Sequence, residues 1–214
     1  MKIITVAITG ASGAIYAQRL LWHMERSDEV SRVHLVVSSP GRRVLAEELD
    51  VTGPSEALAE ALVGRASDKV DVVPSNDIGA KIASGSYPVD AMAIVPCSVS
   101  TVGALASGAV TNLVHRAADV MLKENRRLVV VPRETPLHAI HLENLLRLRN
   151  AGATIVPAMP GFYHRPQTIE QLVDHFVFRL FDHLGLSHAR ATMWTGGRGA
   201  AARDRSDERA KSDA

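Results

Sequence analysis

The chain has 214 residues, 46% of them hydrophobic, with a formal net charge of +1 and one cysteine. That length can bury one full core, and the near-balanced charge lacks the basic excess of a nucleic-acid binder. A single cysteine excludes an internal disulfide framework and argues against a thiolate zinc site. No apolar run approaches about 18 residues and the N-terminus opens directly into a strand, so the expectation is a cytoplasmic protein without a membrane segment.

Short β-branched runs alternate with amphipathic stretches from end to end. Strands are predicted at IITVAIT, RVHLVVS, AMAIVP, RLVVVP and ATIVPA, each nearly apolar throughout, as suits strands covered on both faces. Helical patterns cover residues 14–26, 42–49, 55–63, 102–106, 112–125, 138–151 and 169–184. Pro40 after Ser39 and Thr111 before Asn112 suit helix starts, while Gly152 and Gly185 suit helix ends. The alternation predicts one α/β domain over residues 1–186, doubly wound in the Rossmann-like manner around a mainly parallel sheet. Residues 187–214 turn small, charged and aperiodic and read as a flexible tail, with Met193-Trp194 as an isolated apolar pair.

The first strand runs into TGASGAIYAQRLL. Gly10 permits a tight turn, Ser12 adds a hydroxyl donor, and the unpaired N–H groups at the helix start favour an anion. A dinucleotide fingerprint needs glycines where this chain has Ser12 and Ile15, and a carboxylate where the second strand ends in Val37-Ser38-Ser39. A dinucleotide dehydrogenase is therefore disfavoured, with a ligand-free turn as the plainer alternative. Further along, PCSVSTVGALASG carries Ser98, Ser100 and Thr101 at another strand end. Two hydroxyl-rich loops at carboxyl ends of parallel strands suit a mononucleotide. Cys97 reads as a small buried thiol in preference to a nucleophile.

Charged residues follow in the later elements. Arg116 and Lys123 stand seven apart with Asp119 between them, which fits a salt-bridged helix face. In VVVPRETPLH, Arg133 and Glu134 interrupt a buried strand at its carboxyl end, where the arginine suits a phosphate or an electron-rich ring and the glutamate a proton donor, given a raised pKa. Glu48, at the end of the helix after the second strand, is either a second site carboxylate or an exposed one. Tyr163 and His164 of GFYHRP can lie over the same crevice, and Arg179 amid HFVFRLF either snorkels or pairs with an anion. His138 and His141 are three apart without a third ligand and belong to a helix start.

In these motifs, taken with ASGSYP, RAADVMLKE and PAMPGFYHRPQTIEQLVDH, the chain resembles the UbiX-type flavin prenyltransferases of the flavoprotein superfamily over about residues 2–188. The resemblance implies joining the dimethylallyl group of dimethylallyl phosphate to reduced FMN. The product, prenylated FMN, is the cofactor of UbiD-type decarboxylases; no metal takes part. It further implies a homododecamer whose active sites draw on adjacent subunits. FMN would be held by Gly10, Ala11, Ser12, Ser38, Ser98, Val99, Ser100, Thr101 and Arg133. The prenyl phosphate would meet Lys123, Tyr163 and Arg179, with Arg116 close by, and Ser12, Glu48 and Glu134 would be catalytic. Ile78 stands where some members carry tryptophan, which leaves Tyr87 and Tyr163 as candidate covers for the prenyl chain. Monophosphate and diphosphate donors both fit. One rival is an FMN-dependent decarboxylase of a cysteinyl substrate, an activity that relies on an early histidine; between Gly41 and Val114 this chain has none. The other is a non-catalytic FMN carrier, which would need the flavin loops but not Lys123, Glu134 and Arg179 together.

Overall fold

The computed structural model describes residues 1–188. In chain order it runs β1 (Lys2–Ile8), α1 (Ala14–Glu25), β2 (Val30–Val37), α2 (Ser39–Leu49), α3 (Ser55–Val63), β3 (Val70–Pro74), β4 (Ala91–Cys97), α4 (Val99–Ala106), α5 (Leu113–Lys123), β5 (Arg127–Pro132), α6 (Ala139–Asn150), β6 (Thr154–Ile155) and α7 (Ile169–Leu184). Six parallel strands form one sheet in the order β3-β2-β1-β4-β5-β6. The chain builds outward from β1 on one side, then crosses to β4 on the other, so the winding reverses between β1 and β4. In such sheets the ligand crevice opens at that switch point, outside the strands' carboxyl ends.

The pleat sorts side chains between two cores. Ile4, Val6 and Ile8 of β1, with Val33 and Leu35 of β2, join Leu20, Leu21 and Phe181 on the α1–α7 side. Ala7, Val36, Met92 and Ile94 face Val114, Ala118 and Leu148 from α5 and α6. Burial on both faces explains why the central strands read as continuous apolar runs.

The doubly wound α/β architecture is as expected, but the sheet has one strand more. VDVVP forms β3 at the edge, bonded to β2 alone, and an edge position tolerates the exposed Asp71 and the terminal Pro74 that obscure the strand in sequence. Helices α2 and α4 begin earlier than their apolar periodicity suggests because Ser38 and Ser98 are the N-caps. They accept the N–H of Gly41 at 3.1 Å and of Thr101 at 3.3 Å. Asn112, and not Thr111, caps α5 by accepting the His115 N–H at 3.0 Å. Gly185 closes α7 at φ 73°. Ser187, expected in the tail, donates its N–H to Glu29, and His188 stacks on Phe178. Met193-Trp194 and the rest of that tail lie outside the described residues.

Candidate active site

Thr9 ties the two halves of the sheet together at the switch point. Its buried hydroxyl donates to the Pro96 carbonyl at 3.0 Å and accepts the Ser98 N–H at 2.8 Å, joining the end of β1 to the end of β4. Sequence reasoning passed over this residue, although a hydroxyl closing an apolar strand is a visible signal. Past Thr9 the chain turns into α1. The left-handed conformation belongs to Gly13, at φ 111°, and not to Gly10. Gly10 serves close approach instead, since a Cβ there would fall 2.5 Å from Pro40 Cβ.

The anion expected at the start of α1 is supplied by the protein itself. Glu48, in the last turn of α2, accepts the N–H of Gly13 at 2.9 Å and of Ala14 at 2.8 Å. Burial pushes its pKa up, but the Ser12 hydroxyl, these two N–H groups and the nearby Arg133 outweigh it and hold the carboxyl below the usual range. An ionised carboxylate therefore lies at the positive end of α1 in this structure. The start of α4 carries the hydroxyls instead, with Ser98 Oγ at 3.0 Å from both Ser100 Oγ and Thr101 Oγ1.

Arg133 completes the crevice. It leaves β5 with its N–H on the Cys97 carbonyl at 3.1 Å, and its Nε donates to the Ser12 carbonyl at 3.0 Å. Ser12, Glu48 and Arg133, from three separate elements, thus converge. Glu134 follows directly, half-buried, accepting the Thr135 N–H at 3.0 Å.

The remaining candidates lie elsewhere in the protomer. Helix α5 starts beside the end of β3, where Leu113 N–H meets the Ser75 carbonyl, and descends toward the amino ends of the strands. Arg116 bonds the Ala83 carbonyl at 3.1 Å and pairs with Asp119 at 2.8 Å, while Lys123, at the foot of the helix, pairs with Glu124. Lys123 thus lies toward the amino ends of the strands, away from Arg133 at a carboxyl end, while Arg116 sits in the first turn of α5. Arg179, one turn beyond His175 on α7, pairs with Asp182 at 2.7 Å and is largely exposed. Tyr163 Oη stands 2.6 Å from His175 Nε2. Tyr87 bonds His34 at 2.9 Å and its carbonyl accepts from Arg126, at the amino end of β5. Ile78 is 64% exposed. Cys97 is buried and burial pushes its thiol pKa up, as befits an inert core residue. His138 is the N-cap of α6, as its place at a helix start suggested.

Sequence and structure comparisons decide the family. A family profile described as "Flavoprotein" matches residues 1–179. The chain is 48% identical over 195 residues to "Flavin prenyltransferase UbiX" of Alkalihalophilus pseudofirmus, covering 90% of this chain and 96% of that one.

The chain belongs to the UbiX flavin prenyltransferase family.

Two solved structures of that kind superpose closely. AnUbiX (PadA1) in complex with FMN and dimethylallyl pyrophosphate gives a TM-score of 0.82 at 40% identity, covering 92% of this chain and 99% of that one. A dodecameric FMN-dependent UbiX-like decarboxylase from Escherichia coli O157:H7 gives 0.79 at 41%, covering 92% and 100%. As a flavin prenyltransferase, this UbiX-family chain is an α/β transferase built on one parallel sheet. Among the described residues no three His, Cys, Asp or Glu side chains lie together as a metal site requires, and no helix is long and apolar enough to cross a membrane.

Proposed function

We propose that this chain joins the dimethylallyl group of dimethylallyl phosphate to reduced FMN, yielding prenylated FMN for a UbiD-type decarboxylase. The observation that carries this reading is the convergence of Ser12, Glu48 and Arg133 at the β1/β4 switch point of a UbiX-family chain. The site fits a flavin mononucleotide. Gly10 leaves the loop flat where it meets α2, the hydroxyls of Ser98, Ser100 and Thr101 cluster at a helix start, and Arg133 adds a fixed cation. Gly10, Ala11, Ser12, Ser38, Ser98, Val99, Ser100, Thr101 and Arg133 would hold it.

Bound reduced FMN supplies the electron-rich ring that accepts the five-carbon group. The protein's residues manage charge and protons around that transfer. The allylic C–O bond of the donor breaks with its electron pair leaving on phosphate, so cations must offset the growing negative charge. Arg179 and Tyr163 supply a cation and a hydroxyl donor from one protomer, and Lys123, at the far end of α5, with Arg116 of the same helix, would reach a site from an adjacent subunit. Glu134 delivers a proton to the departing phosphate. Glu48 is ionised at neutral pH and lies beside the Ser12 hydroxyl, so it would take up a proton at the flavin edge only as the N–H groups that now stabilise its charge loosen their hold.

Subunit sharing requires a homo-oligomer, and apolar surface is available for one. Ile140, Leu142 and Leu146 of α6 and Met159 and Phe162 of the following loop are all exposed. The reading is tested by incubating the protein anaerobically with reduced FMN and dimethylallyl phosphate and weighing the recovered flavin. A flavin heavier by one five-carbon unit is expected. Unchanged FMN would leave a carrier, and carbon dioxide released from a cysteinyl peptide would favour the decarboxylase.

A further inference from the structure

Three rings meet where the loop after β6 returns to α7. His164 lies on His175 with centroids 4.0 Å apart, and Tyr163 meets His175 edge-on at 5.1 Å. Tyr163 Oη stands 2.6 Å from His175 Nε2. His175 is 4% exposed whereas Tyr163 is 56% exposed, so the histidine is fixed in the helix and the tyrosine is what it holds. Arg179 follows one turn later on the same helix face, which sets the Tyr163 hydroxyl and the Arg179 guanidinium on a common support.

The second ring nitrogen decides where the proton sits. Among the described residues, nothing hydrogen-bonds the buried His175 Nδ1. A neutral imidazole carries hydrogen on one nitrogen and a lone pair on the other. Hydrogen on Nδ1 would leave a buried N–H without an acceptor, whereas hydrogen on Nε2 has Tyr163 Oη to accept it. The hydrogen therefore belongs on Nε2, which donates to Tyr163 Oη. A hydroxyl that accepts at its oxygen in this way turns its own proton toward another acceptor. Burial, then the stacked His164 and nearby Arg179, oppose a charge on His175 and keep it in this neutral form.

We propose that His175 is a positioning residue of the prenyl-donor site, directing the Tyr163 hydroxyl proton at the donor's phosphate. This rests on the placement of that phosphate at Tyr163 and Arg179 proposed above. An apolar ring would fill the same space in α7; what the imidazole adds is the Nε2 donor.

The test uses the full chain loaded with FMN and measures donor affinity by titration, with kinetics in parallel. His175→Phe keeps a ring and removes the donor. It is expected to weaken dimethylallyl phosphate binding about five- to tenfold, the worth of one hydrogen bond, and to raise KM in step with kcat within about twofold. FMN affinity should be unchanged. His175→Gln, whose amide N–H reaches the place of Nε2, is expected to restore donor affinity to within about twofold of the native value. In a Tyr163→Phe background, His175→Phe should cost nothing more, because the two act as one unit. Nitrogen-15 spectra of the native protein should find His175 protonated at Nε2 and not at Nδ1. A proton on Nδ1, unaltered donor affinity in His175→Phe, or equal weakening of FMN and donor would each overturn the proposal. If Tyr163→Phe itself binds donor normally, the placement of the phosphate fails and takes this inference with it. If Tyr163→Phe weakens the donor and His175→Phe does not, the inference alone fails.

Discussion

Glu48 Oε2 stands 2.9 Å from the Gly13 nitrogen and 2.8 Å from that of Ala14, so one carboxylate caps α1 beside Ser12 and Arg133. The two duties separate by substitution. Glu48→Gln keeps an oxygen for the N–H groups and should hold FMN within about threefold, while losing about a hundredfold in turnover as the proton acceptor goes. Undiminished turnover would remove Glu48 from the chemistry.

The same carboxylate carries a pH signature. Its folded pKa lies below its unfolded one, so its stabilising contribution is complete above the ordinary glutamate range and disappears as pH falls through the depressed value. Melting temperatures of the native chain and Glu48→Gln should therefore differ at pH 7 and converge in acid. A gap that widens toward low pH would contradict the assignment.

Three buried histidines add a second slope at higher pH. His34, His115 and His175 all have pKa values lowered by burial. Below about pH 6.5 the unfolded chain takes up protons that the native state resists, so stability should fall as pH drops from about 7 to 5. Urea midpoints across that range check it, and a flat profile would show that these rings protonate freely in the fold.

Arg133 is expected to matter for flavin more than for donor. Its Nε donates to the Ser12 carbonyl, joining the end of β5 to the loop after β1 across β4. Arg133→Met should weaken FMN binding about ten- to a hundredfold, the range for losing a charged hydrogen-bond donor with its Coulombic share. Fluorescence titration of FMN measures this directly.

Lys123 stands at the foot of α5 beside Glu124, toward the amino ends of the strands, and Arg133 stands at the carboxyl end of β5. If sites are shared, Lys123→Ala and Arg133→Met disable different halves of a joint site. Mixed oligomers of the two inactive variants should regain part of the native turnover, because some sites then receive both native residues. Mixtures as inactive as their parents would mean that each site is built within one chain.

Much of this was legible in the sequence, for identifiable reasons. Central strands buried on both faces leave apolar runs that cannot be mistaken, so β1, β2, β4 and β5 and the doubly wound order followed. Strand β3 did not, because an edge strand may carry Asp71 and end in Pro74. Ser12, Glu48 and Arg133 were each picked out, but not that Glu48 fills the start of α1, since the pairing spans 34 residues of chain and depends on how α2 packs. The two loops proposed for flavin do follow the carboxyl ends of β1 and β4, while the caps Ser38 and Ser98 place both helix starts earlier than the apolar periodicity suggests. Tyr87 shows the limit: its partner His34 lies on another strand, and nothing local in ASGSYP signals that bond.

Crystals of the oligomer holding reduced FMN together with an unreactive dimethylallyl phosphate analogue test the central claim most directly. The flavin should lie against Gly10, Ser12 and Arg133 with its ring edge beside Glu48, and the analogue's allylic carbon should be within reach of that edge with its phosphate on Tyr163 and Arg179. A switch-point crevice closed by packed side chains, or two ligands lodged too far apart to join, would contradict it.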